Sequence, residues 1–262
     1  MTISFFHLLA ALAAGLIVTG WQAYKDSPWE NFLWNRYLRS YLVVFFLLLL
    51  LITLSILPTN LGILSLLLIG CERGIGDIYK GFFRPTLHPE FSELFKRLKL
   101  PALFQYHWRV FAGIGALVFV FGLVTILFGS LIQQIMSLAP STLLGGALIG
   151  FLAGCLSATG GVIKDSQFEG FKPKKFIRSP LVGTLAGIFL TQFENQGFLL
   201  AWALIGSERV IVELYKTFWV RQVRGIFENM APQYPVWLQK RGIFLLQYVT
   251  GVIVLLFLFL VQ

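Results

Sequence analysis

The chain has 262 residues, of which 57% are hydrophobic and 16% aromatic, while only 13% are charged. An average soluble domain has roughly 25% charged residues, so this chain has too little polar surface to cover a water-exposed globule. The composition excludes an ordinary soluble protein and predicts an all-α integral membrane protein. The formal net charge of +9 suits either nucleic acid or an anionic lipid surface, and the positions of the charges decide between them.

Apolar runs, taken in chain order, predict about eight transmembrane helices, because a helix needs about 20 residues to cross the hydrocarbon core. Two of the runs are short and end at the charged pairs Glu72-Arg73 and Glu208-Arg209. They span the membrane only if the helix continues past its charges. The predicted spans are 3–20, 41–57, 61–80, 110–128, 143–159, 180–193, 197–216 and 243–261.

The basic residues follow this topology closely. All 21 Lys and Arg residues fall on one side of the eight spans, or in the adjacent half of a span. The positive-inside rule makes that side cytoplasmic. We therefore expect both termini on the non-cytoplasmic side of a bacterial inner membrane or its organellar equivalent. The expected partners are the bilayer and its anionic lipids, with no nucleic acid.

The sequence contains an internal duplication. Residues 25–40 align with 164–179 at seven identities in sixteen positions, and 69–84 align with 205–220 at eight. We therefore predict two four-span repeats. Repeat 1 covers 1–138 and includes an interfacial helix at 89–100, and repeat 2 covers 139–262 and includes an interfacial segment at 221–240.

An even number of spans in each unit inserts both copies in the same direction. This predicts parallel repeats related by a pseudo-twofold axis along the membrane normal, as in one class of transporters. The first and fifth spans are rich in Ala and Gly. Because small residues let helix backbones approach closely in lipid, we expect these two spans beside the axis.

The first repeated motif reads K-D-S-x-x-E-x-F-x-x-x-[RK]-x-x-R-S. Its S-x-x-E spacing, at Ser27 and again at Ser166, is typical of a helix capping box. The adjacent Lys and Asp do not face each other on a helix, so we expect them to pair across the bundle or with a ligand. Arg39 and Arg178 directly precede the second and sixth predicted spans, with Pro180 as a first helical residue. At such a helix start they would hold either a substrate anion or a lipid phosphate.

The second motif reads I-G-x-E-R-x-I-x-[DE]-x-Y-K-x-F. Glu72 and Glu208 are each the twelfth residue of their predicted span, about 18 Å from its outer end at 1.5 Å per residue. Charges at that depth indicate a functional site by default. The alternative is an ion-pair network that clamps the two halves together, and the i, i+4 spacing of Arg73 with Asp77 allows such a pair. Gly74 and Gly76 beside these charges suggest a loosened helix.

The two motifs supply the candidate residues for substrate binding or an ion-pair network. No catalytic residue, cofactor or metal site is predicted, since the two cysteines have no zinc or redox spacing. The candidates are Lys25, Asp26, Glu30, Arg36, Arg39, Glu72, Arg73, Asp77, Tyr79 and Lys80 in the first copy, and Lys164, Asp165, Glu169, Lys175, Arg178, Glu208, Arg209, Glu213, Tyr215 and Lys216 in the second.

These features favour a transporter or flippase for an anionic, phosphate-bearing substrate. In that role Lys25, Arg39, Lys164 and Arg178 would hold the anion at the cytoplasmic mouth. The Glu-Arg pairs of the second motif would form a gate or couple protons. One alternative is an intramembrane enzyme that acts on a lipid head group through magnesium bound by the motif carboxylates. Another is a non-catalytic assembly factor or structural subunit that binds a partner within a membrane complex.

Overall fold

A computed structural model describes residues 4–84, 92, 95–100, 105–138, 142–220 and 231–261, and for 142 and 164–169 it describes the backbone alone. All regular structure in these residues is helical. Three short π-helical turns are π1 (Tyr79–Phe83), π2 (Leu123–Phe128) and π3 (Leu214–Trp219). The α-helices are α1 (Phe5–Glu30), α2 (Trp34–Thr53), α3 (Leu61–Ile78), α4 (Tyr106–Gly122), α5 (Gly129–Leu138), α6 (Thr142–Glu169), α7 (Pro173–Leu190), α8 (Gly197–Glu213), α9 (Val236–Gln239) and α10 (Arg241–Leu260).

Five helical segments in the described part of the chain are long and apolar enough to cross a membrane. Many of their large apolar side chains, such as Phe46 and Phe111, are exposed on the bundle surface, as expected where lipid is the solvent. The chain is therefore an all-α, multi-pass membrane protein. The five segments are Phe5–Glu30, Trp34–Thr53, Tyr106–Leu138, Leu143–Ile163 and Arg241–Leu260.

Local sequence signals explain where several helices begin. Asn60 caps α3, since its Oδ1 accepts hydrogen bonds from the backbone N–H groups of Gly62 at 2.8 Å and Ile63 at 3.2 Å. Pro173 occupies the first turn of α7, where its missing N–H costs nothing. Asn31 ends α1 with a φ of 63°, a conformation that asparagine tolerates better than most residues.

The charged helices α3 and α8 pack against each other at the centre of the bundle, and most of their residues are buried. Their backbones meet at two glycines. A Cβ at Gly70 would overlap the carbonyl oxygen of Trp202, and one at Gly206 would overlap that of Leu66. The two contacts are reciprocal, because adding 136 to Leu66 and Gly70 gives Trp202 and Gly206. Only glycine at both positions allows this approach.

The prediction that the first and fifth spans lie beside the central axis is wrong. α1 packs most extensively on α10, and α6 packs on α7. The glycines of α6 do serve close packing, but their partner is its neighbour in sequence: Gly150 and Gly183 each approach the other's carbonyl oxygen. The small residues therefore tighten other helix pairs, and α3 and α8 form the central pair.

The predicted starts of the second and sixth spans are also wrong. α2 begins at Trp34 and α7 at Pro173, so Arg39, Arg178 and Pro180 lie inside helices and not at their starts. The sequence places the start too late because the apolar run begins later than the helix does.

The capping box at Ser27 is wrong for a related reason. Ser27 lies near the end of α1, and its hydroxyl donates to the Ala23 carbonyl oxygen at 2.6 Å. Ser166 lies within α6. Gly74 and Gly76 do not interrupt α3 either, which widens only afterwards, in π1.

The two predicted interfacial segments lie partly outside the described residues. Of 89–100 the structure describes 92 and 95–100, where Phe95 is buried and Leu98 is exposed. Of 221–240 it describes 231–240, which contain the short helix α9.

The reciprocal glycine contact gives a direct test of the packing. Gly206→Ala should lower the free energy of unfolding by about 1–3 kcal/mol, because the methyl group overlaps backbone and not a movable side chain. Gly115→Ala is the matched control, since a Cβ there meets nothing within 4 Å. Thermal unfolding of the purified proteins in detergent measures both, and equal melting temperatures in the two variants would contradict the packing.

Candidate functional site

A cavity of about 100 Å³ lies where α1 ends, α2 begins and α3 runs into π1. Both repeated motifs of the first copy contribute to its wall. The residues of these motifs that line it are Asp26, Ser27, Glu30, Asn31, Phe32, Leu33, Arg36, Tyr37, Arg39, Tyr79 and Lys80, and Arg84 lines it from just beyond the second motif.

The cavity lining carries more positive than negative charge. Four basic side chains, Arg36, Arg39, Lys80 and Arg84, face two acidic ones, Asp26 and Glu30. The Glu30 carboxylate lies 2.9 Å from Arg36 Nη1 and 3.5 Å from Arg84 Nη2. One carboxylate therefore holds two guanidinium groups at the cavity wall, and the lining as a whole favours an anion.

Arg39 is held in the cavity wall by an aromatic ring. Its guanidinium carbon lies 4.6 Å from the centre of the Tyr79 ring, which is cation–π geometry. Among the described residues no carboxylate lies within ion-pair distance of Arg39. In the second copy Arg178 lies in the same way over Tyr215, at 5.5 Å. Both motifs thus bring their arginine onto their tyrosine, a contact that the sequence did not predict.

Gln247 of the last helix, α10, hydrogen-bonds to two residues of the cavity lining. Tyr37 Oη donates to Gln247 Oε1 at 2.8 Å, and Gln247 Nε2 donates to Thr19 Oγ1 at 2.5 Å and to the Leu16 carbonyl oxygen at 3.1 Å. Thr19 and Tyr37 both line the cavity. At the loop after α1, Trp237 Nε1 donates to Asn31 Oδ1 at 3.0 Å. Residues far along the chain therefore fix the position of two cavity walls.

Glu72 and Glu208, the two central glutamates of the second motif, are each only 1% exposed. Glu72 Oε1 accepts a hydrogen bond of 2.6 Å from Ser40 Oγ on α2. Glu208 Oε2 accepts one of 2.6 Å from Ser157 Oγ on α6 and lies 3.8 Å from Arg209 Nε. The two residues match in sequence but differ in surroundings.

Other charged residues of the motifs form ion pairs. Arg73 pairs with Asp77 at 3.1 Å, which is the i, i+4 pair that the spacing allowed. Glu213 lies 2.8 Å from Lys216 Nζ and 3.7 Å from Lys25 Nζ. The contact of Lys25 on α1 with Glu213 on α8 is a pair across the bundle, one of the two roles expected for that lysine.

The structure brings together only part of the predicted site. Six candidates of the first copy line the cavity, whereas Lys175 lies in the first turn of α7. The side chains of Lys164, Asp165 and Glu169 lie outside the described residues. Sequence reasoning missed Arg84 and Gln247. The second copy has Val220 at the position of Arg84, so comparison of the repeats could not find it.

Within the described residues, no group of three or more His, Cys, Asp and Glu side chains lies close enough to hold a metal ion. Comparisons of the chain with protein-family models, curated proteins and solved structures found no match. Function therefore has to be inferred from the cavity and the groups around it.

The Ser40 hydroxyl is predicted to stabilise the buried Glu72 carboxylate. Ser40→Ala removes the donor, and a buried acceptor without its partner costs about 1–3 kcal/mol. We expect the melting temperature to fall by several degrees. Ser130→Ala should leave it within about a degree, since that exposed hydroxyl bonds only to a carbonyl of its own helix. If Ser40→Ala were as stable as Ser130→Ala, the hydrogen bond would have no energetic role.

Proposed function

We propose that the protein binds a phosphate-bearing anion in the cavity at the end of α1 and moves it across the membrane, as a transporter or flippase. The observation that carries the proposal is the cavity lining, with its four basic side chains and Arg39 stacked on Tyr79. An arginine fork that is held by a ring and faces a cavity is well suited to bind phosphate through two parallel N–H···O bonds.

The volume of the cavity and the balance of positive and negative charge in its lining also favour a phosphate group. About 100 Å³ suits a compact tetrahedral anion and not a large ring system. Glu30 occupies Arg36 and Arg84, so it lowers the net charge of the lining and positions both cations. Binding that is neither too strong nor too weak lets a transported ion enter and leave.

We further propose that the membrane domain has eight spans, arranged as two parallel four-span repeats, with the cavity at the cytoplasmic side and both termini on the opposite side. α3 with π1 covers 61–83 and is about 34 Å long at 1.5 Å per residue, enough to cross a core of roughly 30 Å. Its charges face other helices, since Glu72 is buried. The reciprocal contact of Gly70 with Gly206, and the two Arg–Tyr stacks, support the pseudo-twofold relation.

The phosphate group belongs either to a lipid head group or to a soluble anion. Aromatic side chains surround the loop between α1 and α2: the Phe32 ring lies 5.1 Å from Trp34 and 5.0 Å from Trp237, and Trp34 is largely exposed. Such aromatic groups are typical of the membrane–water interface. The cavity therefore lies at the depth where lipid phosphates and soluble anions are both accessible.

Reconstitution into liposomes tests this function in two arms. One arm measures uptake of radiolabelled inorganic phosphate, and the other measures exchange of a fluorescent phosphatidylserine between the leaflets. We expect the protein to accelerate one of them over protein-free vesicles. Arg39→Gln should reduce that rate about tenfold or more, because it removes a charge-assisted bidentate contact.

Lys99→Gln is the matched control for loss of one positive charge, since Lys99 is exposed and away from the cavity lining. It should keep the rate of the unmodified protein. If the protein leaves both rates at the level of empty vesicles, the transport proposal fails. An equal loss in both variants would show that net charge and not the cavity is responsible.

A further inference from the structure

We propose that Glu72 is a proton site that is linked to anion binding in the cavity, and that this role belongs to Glu72 and not to its counterpart Glu208. This inference rests on the proposed function of the cavity. It assigns a regulation to the site: anion binding and protonation of Glu72 favour each other.

The first observation is that the Glu72 carboxylate is buried but only partly satisfied. It is 1% exposed, and while Oε1 accepts from Ser40, Oε2 has no hydrogen-bond partner. Among the described residues no cation lies within 4 Å of it. A buried charge without a close partner is costly, and taking up a proton removes the charge and supplies a donor.

The second observation is the position of Glu72 relative to the cavity. Ser40, its hydrogen-bond donor, directly follows Arg39, which lines the cavity. Along α3 and π1, Glu72 and the cavity-lining Tyr79 are seven residues apart, about 10 Å at 1.5 Å per residue. The carboxylate lies beside Gly76, where a Cβ would be 3.6 Å from Oε1 and 4.0 Å from Oε2. Gly76 has no side chain, so the Glu72 carboxylate lies next to its backbone.

The second copy lacks this arrangement. Val212 stands at the position of Gly76 and is buried. The Glu208 carboxylate lies against Ser157 of α6 instead and has Arg209 Nε at 3.8 Å.

Nearby cations attract the Glu72 carboxylate, and a bound anion changes that attraction. Arg39 from α2, Arg73 from its own helix and Lys80 from π1 act on the carboxylate through space. From α8 the packed residues at this level include Trp202 and Gly206, which carry no charge.

Of the titratable groups on the neighbouring helices, Asp26 of α1 lines the cavity itself, and Arg109 of α4 donates to the Arg84 carbonyl oxygen at 3.1 Å. Tyr248 of α10 donates its hydroxyl to the Val210 carbonyl oxygen, and Lys25 of α1 pairs with Glu213. An anion that binds to Arg39 and Lys80 weakens their attraction for the Glu72 carboxylate and also repels it. Protonation of Glu72 relieves that repulsion. Coulomb's law at an effective dielectric constant of about 20 and a distance of about 10 Å gives an effect on the order of tenfold in affinity for each negative charge of the anion.

Sulfate is the probe of choice, because it stays a dianion between about pH 5 and about pH 8, whereas phosphate titrates there. We measure its dissociation constant by calorimetry on the purified full chain at both ends of this range. Because sulfate carries two negative charges, the unmodified protein should bind it about a hundredfold more weakly at the higher pH. Glu72→Gln should bind it with the low-pH affinity at both values. The three histidines of the chain are the same in both proteins, so the difference isolates Glu72.

Glu194→Gln is the matched control. Glu194 is a second buried carboxylate with an oxygen that lacks a hydrogen-bond partner, but it lies at the start of α8, where its Oε1 accepts from the Asn195 and Gln196 N–H groups. This variant should keep the pH dependence of the unmodified protein. Loss of the dependence in Glu194→Gln would overturn the assignment to Glu72.

A second measurement does not depend on any variant. Calorimetry in two buffers of different ionisation enthalpy gives the number of protons taken up with each sulfate, which should be above zero near the middle of the pH range. Sulfate binding without proton uptake, or an unchanged pH dependence in Glu72→Gln, overturns the inference and leaves the anion cavity standing. If sulfate and inorganic phosphate both fail to bind, the proposed function falls and this inference falls with it.

Discussion

The close approach of α3 and α8 at Gly70 and Gly206 is the constraint on which the rest of the bundle depends. Charged groups within a membrane are costly wherever they face lipid, and the helices that carry the second motif have several. Backbone-to-backbone packing at two glycines places these helices at the centre, where the other helices cover them. Glu72 and Glu208 can then be buried against hydroxyl groups of neighbouring helices.

The central position of α3 also determines where a cavity can form. Towards its end α3 passes into the wider π1, which carries Tyr79 and Lys80, while α1 ends and α2 begins beside it. Such π-turns occur often at functional sites, and here the turn brings the tyrosine under Arg39. The first motif supplies the arginine and the second motif supplies the ring, so the two motifs act together although 40 residues separate Arg39 from Tyr79.

Much of this arrangement could be predicted from the sequence, and the limits have physical causes. Hydrophobic run lengths gave the helices, and repetition identified most of the charged residues around the cavity. The starts of α2 and α7 are misplaced because their apolar runs begin later than the helices do. The capping box at Ser27 is wrong because an S-x-x-E pattern looks the same inside a helix as at its start. Gly70 and Gly206 belong to the repeated second motif, but the presence of small residues does not by itself show which helix they contact. Arg84 has Val220 as its counterpart, and Gln247 lies outside both aligned stretches, so repetition provides no signal for them.

The helices beside the two occurrences of the first motif pack differently. α6 and α7 approach backbone to backbone through Gly150 and Gly183, which leaves no room between them at that level. In the pair of α1 with α2, the Tyr41 ring of α2 lies against Gly15 of α1. An aromatic ring between two helices keeps their backbones further apart than a contact between glycines does. The first motif thus occurs beside two different kinds of helix contact, a glycine-to-backbone contact between α6 and α7 and a ring-to-glycine contact between α1 and α2.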